Sequence, residues 1–380
     1  MATRSETTTT TTTTATPTPA GAACRVEAFL DLADRLAAEA CHGQPTKGRD
    51  GGGPAGEHTL CVAGLPVQVR CSDQALTATV FRAMSHLQPA EGPPRLRVTA
   101  WHSPDAGPLL DGCPWAGRET WRAKEVVVVR GERGFAAFNA QAETICTYDR
   151  RTQSATLWSP SPETHNLRVS PLDAIFNWWL TDHGRLLCHG SAVASSSGGQ
   201  PAAALIVGRG GSGKSTLAFA SLGSNLSLLG DDLVAAQVAP TPWLSSLYSV
   251  GKLLPGHMRE SFPHIQRHER AIAHGVPDKN LVYLAESHHA KLLSDAALRA
   301  VIVPRIAGVA QPRVEPLDRA AAYRALAPST LLMHSGQRAE KATMLADLIR
   351  SVPAYRLNLS PDHGANLGAI ESLLARRAAA

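Results

Sequence analysis

Near the middle of the chain, Gly208-Arg209-Gly210-Gly211-Ser212-Gly213-Lys214-Ser215 fits the pattern G-x-x-x-x-G-K-[ST]. The chemistry it serves is the binding of a polyphosphate. Many donors must converge on the phosphate oxygens, and consecutive backbone N–H groups converge only if the loop curls tightly. Glycine permits the curl because it reaches positive φ without a Cβ clash. Lys214 would reach the β- and γ-phosphates, and the Ser215 hydroxyl would ligate magnesium. Residues Gly208 to Ser215 and the following Thr216 are the candidate cofactor-binding residues.

A second group that could do chemistry follows at Asp231-Asp232, at the end of a short apolar run. Open α/β sheets gather their ligand groups at such strand ends. One carboxylate could hold magnesium beside Ser215 while the other takes a proton from an attacking hydroxyl. A solvated Asp-Asp turn is the plain alternative.

Elements must position these groups. Ala203 to Val207 is an apolar run suited to a strand buried on both faces, and helix formers follow from Thr216 to Leu222. The stretch 185–194 reads as one strand carrying His189-Gly190, and 195–200 as a hairpin tip. Residues 226–229, 233–238, 281–284, 300–304 and 357–359 read as further strands. Helices are expected over 318–327, 340–351 and 364–377. The segment 240–278 has an irregular texture. The region 244–291 is expected to shape the acceptor site, and its cations Lys252, Arg259, Arg267, Arg270 and Lys279 are candidates to neutralise phosphate or grip an acceptor, with Lys279 preferred as the candidate substrate residue.

Upstream, residues 1–24 form a Thr-rich low-complexity tail without an apolar signal-peptide core. An amphipathic helix over 25–41 places Val26, Phe29, Leu30, Ala33, Leu36 and Ala37 on one face; a linker reaches 57. Residues 58–160 have β texture, with strand-like runs, hairpin turns and a helix over 76–87. His102, Asp105 and Asp111 read as loop residues there. Ser170 as N-cap and Pro171 at the first position predict a helix to Asp182, with Trp178 and Trp179 in the core.

The block from Leu187 to Val234 resembles the kinase domain of HPr kinase/phosphorylase and its looser relatives. That family shows a strand bearing His-Gly, a hairpin, the phosphate loop, a helix, a short strand and Asp-Asp. Here these are His189-Gly190, Gly208 to Ser215, and Gly230-Asp231-Asp232, with a family-like interval from Lys214 to Asp231. The resemblance implies an α/β P-loop kinase domain of the HPr-kinase/PEP-carboxykinase-like type over 165–380, preceded by a smaller β-rich domain. It implies ATP and Mg²⁺ as cofactors and transfer of the γ-phosphoryl group to a serine of a protein or peptide. Asp231 is then the general base, His189 a neighbour that tunes it, Lys214 the phosphate lysine, and Ser215 with Asp232 the magnesium ligands. The loop has Gly210 where the family commonly has serine. No Glu-x-Arg-Gly-like stretch follows, so no second magnesium carboxylate is assigned and the phosphorylase direction is not carried over. An ATP-binding switch without transfer activity and a small-molecule kinase are the competing functions.

Totals set the remaining bounds. The chain has 380 residues, 37 Lys and Arg against 32 Asp and Glu, and a net charge of +5. That excess is mild and unclustered, so no nucleic-acid partner is expected. The seven cysteines are scattered without a C-x-x-C, which fits reduced thiols in a cytoplasm. No apolar run is long enough for a membrane span. Homo-oligomerisation is left open.

Overall fold

Alternating apolar and polar residues between 57 and 159 build the first sheet. Along Leu65–Cys71, for example, Val67, Val69 and Cys71 are buried and the residues between them are not. The computed structural model describes residues 20–42, 56–105, 107–115, 126–140, 143–197, 199–265, 268–270, 279–332 and 336–378. Nearly all of the Thr-rich tail, most of the linker before residue 57, and Arg267 lie outside the described residues.

The first sheet comprises β1 (Glu57–Val62), β2 (Leu65–Cys71), β3 (Leu96–His102), β4 (Val126–Arg130), β5 (Gly134–Asn139), β6 (Thr144–Asp149) and β7 (Ser154–Ser159). Its order is β1-β2-β3-β7-β6-β5-β4, parallel at β2–β3 and β3–β7 and antiparallel elsewhere. The amphipathic helix, Ala20–His42, covers one face: Phe29, Ala33 and Ala37 pack with Trp101, Phe138 and Trp158. The other face packs on helices Gln74–Met84 and Asp173–Asp182. Trp178 and Trp179 are fully buried there, in a cluster that continues into the second sheet through Leu187, Leu233 and Tyr248. The sheets therefore share one core.

The helix carrying the two tryptophans begins later than its Ser-Pro start predicts. Ser170 closes a preceding short helix, His165–Val169, and the next helix is entered through Leu172 in a left-handed turn at φ 64°. Leu172 is completely buried, so its place in the core fixes the entry instead of a side-chain cap. The Ser170 hydroxyl still donates to Asp173 in the first turn.

The second sheet contains β8 (Arg185–His189), β9 (Ser191–Ser195), β10 (Ala202–Ile206), β11 (Ser227–Gly230), β12 (Leu233–Gln237) and β13 (Trp243–Ser246). A small third sheet, β14 (Val250–Leu253), β15 (Glu269–Arg270) and β16 (Asn280–Tyr283), interrupts it. The chain then returns with β17 (Asp295–Ile306), β18 (Arg313–Leu317) and β19 (Ala354–Leu359). The segment 240–278, irregular by texture, thus supplies β13, β14, β15 and the helix Pro255–Ser261. Pro255 takes the first helical position, where its missing N–H costs nothing.

The single strand expected over 185–194 is two strands broken at Gly190. The main path runs β11-β9-β10-β17-β13-β12-β8. Strands β8 and β9 are joined by one residue yet lie at opposite ends of that path. The stretch 227–237 does the same through Asp231-Asp232. Two long antiparallel stretches therefore cross together from one end of the sheet to the other, bent at Gly190 and at the acidic pair. The Gly190 N–H donates to the Asp232 carbonyl at 3.0 Å and pins the two bends. A Cβ on Gly190 would lie 2.7 Å from the Ile206 carbonyl oxygen, so only glycine fits.

Candidate active site

The phosphate loop follows β10, which pairs parallel with β17 and antiparallel with β9. Gly213 caps the helix Lys214–Ser221 with φ 101°. A Cβ there would be strained and would meet Leu359 at 2.8 Å. No side chain caps this helix and its first turn holds no acid. Its N–H groups and positive dipole end remain available to an anion. The Lys214 ammonium donates to the carbonyls of Gly208 at 2.8 Å and Arg209 at 3.1 Å, so it is curled over its own loop. Burial lowers its pKa, and Lys279 adds to this against the opposing pull of Asp231 and Asp232. Lys279 therefore sits within electrostatic reach of the phosphate loop.

The acidic pair lies where the crossing strands bend. Asp232 adopts φ 79°. Such left-handed backbone at a non-glycine residue costs on the order of 1 kcal/mol or more and collects at functional sites. It also breaks the strand alternation that would point neighbouring side chains to opposite faces.

Ser191 donates to Asp231 Oδ1 at 2.7 Å, and Ser215 is near enough to the same carboxyl group to help stabilise its charged form. His189 Nε2 lies 3.1 Å from Asp232 Oδ1, and the Lys252 ammonium lies 2.5 Å from Asp232 Oδ2. His189 and Ser191, on either side of Gly190, thus take one aspartate each. The expected pairing of His189 with Asp231 is not formed; its partner is Asp232.

These contacts split the two carboxyl groups electrostatically. Burial raises the pKa of Asp231, the charge on Asp232 adds to it, and Ser191 and Ser215 offset only part. Burial works against the charge on Asp232 too. There Lys252 and His189 outweigh it and hold the carboxyl well below the usual range. Adjacent carboxyl groups driven apart in this way form an arrangement in which one stays charged while the other exchanges a proton.

Nothing in the sequence pairs the candidate cation Lys252 with the acidic residues, and nothing there points to His165. Lys252, one of several cations in an irregular stretch by texture, is the ion-pair partner of Asp232 because β14 delivers it there. His165 comes from the connection between the sheets. Burial pushes its pKa down to about 4, and the charges of Lys252, Arg168 and Lys279 act in the same sense. No spacing rule links it to the phosphate loop. Arg168 in turn pairs with Glu269 at 2.5 Å, and Glu269 with Arg82 at 2.6 Å, which ties β15 to the first sheet's helix. Of the other loop cations, Arg259 is exposed. His102 pairs with Asp73 at 2.9 Å in the first sheet and takes no part in this site.

Three buried polar atoms without a hydrogen-bond partner belong here: Ser212 Oγ inside the loop, His189 Nδ1 and His165 Nδ1. A native structure leaves few such atoms unpaired, and a polar ligand would satisfy them. Among the described residues no cluster of three or more His, Cys, Asp or Glu stands ready to cage a metal. The oxygens present suit magnesium carried on a nucleotide, which takes few protein ligands and fills the rest with phosphate and water. Asp232 uses two of its roughly four lone-pair sites on Lys252 and His189, and the Ser215 hydroxyl is close by. No helix among the described residues is long and apolar enough to cross a membrane.

No family model matches the chain, and no curated protein is similar to it. Among solved structures it is similar to the Hpr(Ser) kinase/phosphatase from Coxiella burnetii. The identity is 13% and the TM-score 0.26, with 50% of this chain and 88% of that one covered. A likeness this distant carries no assignment, which rests on the residues of the site.

Proposed function

We propose that this chain is an ATP-dependent kinase that transfers the γ-phosphoryl group to a serine hydroxyl of a protein or peptide. The observation that supports it best is the meeting of Lys214 at the glycine-rich loop with two carboxyl groups of opposite tendency: Asp231 bonded to Ser191, Asp232 held charged by Lys252 and His189. A module that only binds nucleotide has no need of a carboxyl group with a raised pKa beside the phosphates. The serine acceptor follows from the resemblance of residues 187–234 to HPr-kinase-like domains.

In this mechanism the loop N–H groups and Lys214 hold the triphosphate and stabilise charge that develops on it. Asp231 accepts the proton of the acceptor hydroxyl. The serine oxygen forms a bond to the γ-phosphorus as the bond from that phosphorus to the bridging oxygen breaks, and ADP leaves. Magnesium, held by Ser215 and Asp232, would neutralise phosphate charge. Lys279, within electrostatic reach of Lys214, would serve the acceptor in this reading. Incubation of the pure protein with γ-labelled ATP and cell lysate tests the proposal. A labelled polypeptide is expected. A labelled metabolite would make it a small-molecule kinase, and no labelled product would make it a nucleotide switch.

A further inference from the structure

We infer that a polar cavity between the two large sheets binds a free amino acid, with Arg185 holding its carboxylate and Asp295 its ammonium group. The cavity is separate from the phosphate loop. Arg185 and Gln237 lie at the ends of β8 and β12 opposite those that reach His189 and the acidic pair.

Strand pairing gathers its polar side chains. Arg185 lies opposite Gln237, Gln237 opposite Trp243, and Ser245 opposite Asp295. Paired residues share a face of a sheet, and so do residues two apart on a strand. All five therefore belong to one face. Further along that face Leu187, Leu233 and Ala235 join the core shared with the first sheet. At the Arg185 end the face turns polar, and the sheets part around a cavity of about 400 Å³. Cys61, Ala63, Gly64 and Gln88 close it from the side of the first sheet. Junctions of this kind are where small-molecule sites form, and the volume lies within their usual range.

Arg185 is set to receive an anion. Its Nε donates to the Ala63 carbonyl at 2.8 Å and its Nη1 to the His183 carbonyl at 3.0 Å. The two bonds fix the plane of the guanidinium, and neither uses Nη2. The turn from β1 to β2 leaves Nη2 open: a Cβ on Gly64 would be strained at φ 77° and would stand 3.9 Å from it. The arginine is half-buried, burial lowers its pKa, and no carboxylate pairs with it among the described residues. A desolvated guanidinium calls for an anion, and its planar donors match a carboxylate.

The rest of the lining selects the ligand. Arg185 and Asp295 are the charged residues of the cavity. They stand three strands apart, roughly 14 Å between backbones, and no ion pair joins them. Asp295 is exposed and accepts from the Trp243 indole N–H at 3.2 Å and the Ser294 hydroxyl at 3.0 Å, which orients its charge without neutralising it. A dianion such as a phosphate ester would meet that charge, and a simple amine would meet Arg185. A molecule with one carboxylate and one ammonium group satisfies both ends. Both residues line one cavity, so a single small molecule can span them. The side chains of Gln237 and Ser245, which make no hydrogen bond among the described residues, remain for the rest of it.

Thermal unfolding of the full chain with each of the twenty standard amino acids, in a chloride buffer free of carboxylates, tests this. At least one should raise the melting temperature by about 3 °C at roughly a hundred times its Kd. Calorimetry with that amino acid, its amide and its deaminated acid then reads the two contacts. Each analogue lacks one charge and should bind roughly tenfold or more weakly. Arg185→Lys keeps the charge but not the planar fork, and should weaken the amino acid roughly tenfold. Asp295→Asn, on the exposed rim, should weaken it by a similar factor and leave the deaminated acid within about twofold. ATP affinity should stay within about twofold in both variants, since the cavity is remote from the phosphate loop. If no amino acid shifts the melting temperature, or Asp295→Asn binds the amino acid as tightly as the native chain does, the cavity is a solvated cleft and no amino-acid site. Inorganic phosphate protecting better than every amino acid would overturn the assignment too. Should Arg185→Lys fail to fold, the comparison of amino acid with deaminated acid in Asp295→Asn decides alone.

Discussion

Lys252, on the first strand of the small third sheet, places its ammonium 2.5 Å from the carboxylate of Asp232 at the bend of the main sheet. Burial opposes the charge on Lys252, but Asp232 outweighs it and raises the lysine pKa. Each member thus keeps the other ionised in a site that would otherwise favour neutral forms. The pair also fixes the third sheet against the acidic bend.

Replacing Lys252 with Met should therefore destabilise the fold by about 2 kcal/mol, because it strands a carboxylate that burial disfavours. The Asp232 pKa should rise in the variant. Since this pKa is depressed in the native fold, its contribution is present above the unfolded carboxylate value and lost as pH falls. The deficit of the variant should accordingly shrink in acid. Urea unfolding of both proteins at neutral and acidic pH checks this; a constant deficit would mean that packing, not charge, is lost.

Asp231→Asn is nearly isosteric and cannot take a proton at neutral pH. ATP binding should persist while phosphoryl transfer falls by about 10²–10⁴, the usual worth of a positioned acid–base group. In the native protein the rate should rise with pH as Asp231 ionises, through an apparent pKa above the ordinary carboxylate range. The variant's residual rate should lose that limb. Transfer abolished by Asp232→Asn but untouched by Asp231→Asn would exchange the two roles.

Lys214 and Lys279 feel each other electrostatically, and their variants distinguish a nucleotide role from an acceptor role. Lys214→Ala should weaken ATP by roughly tenfold or more with little change in melting temperature, since alanine suits the first turn of the helix Lys214–Ser221. Lys279→Ala should lower kcat/KM for the acceptor and leave ATP within about threefold. Equal losses for ATP and acceptor in the second variant would move Lys279 into the nucleotide site.

Acid stability has its own probe far from this chemistry. His86 is buried, its Nε2 is 2.6 Å from the Ser246 hydroxyl, and burial, assisted by His289, lowers its pKa to about 4. The unfolded chain holds a proton on this residue at higher pH than the folded one does. Between about pH 6.5 and 4 the native state should therefore lose about 3 kcal/mol on its account as pH falls. His86→Gln keeps an amide nitrogen near Ser246 and cannot titrate. Its unfolding free energy should fall less over the same range, and an identical fall would assign the acid limb to other groups.

The glycine-rich turn and the helix after it were legible in the sequence because they are local. The curl of Gly208 to Gly213, the lysine that closes it and the helix that follows are consecutive, and no distant residue is needed to recognise them. Most strands and the main helices were legible for a similar reason: alternation and 3.6-residue periodicity are properties of short windows. The tertiary structure decided what depends on distant chain segments. It moved the start of helix Asp173–Asp182 past Ser170 and Pro171, because the core claims Leu172. It split 185–194 at Gly190, because Ile206 passes too close for a Cβ. It gave His189 to Asp232 and brought Lys252 and His165 to the site from β14 and from the link between the sheets. It set Leu359 and His363 beside Gly213, from the far end of the chain. None of these partners has a spacing rule, because sheet closure and core packing bring them together. Residue types announced that an anion and a proton could be handled here; which carboxyl group keeps its charge was settled by the cations the fold delivers.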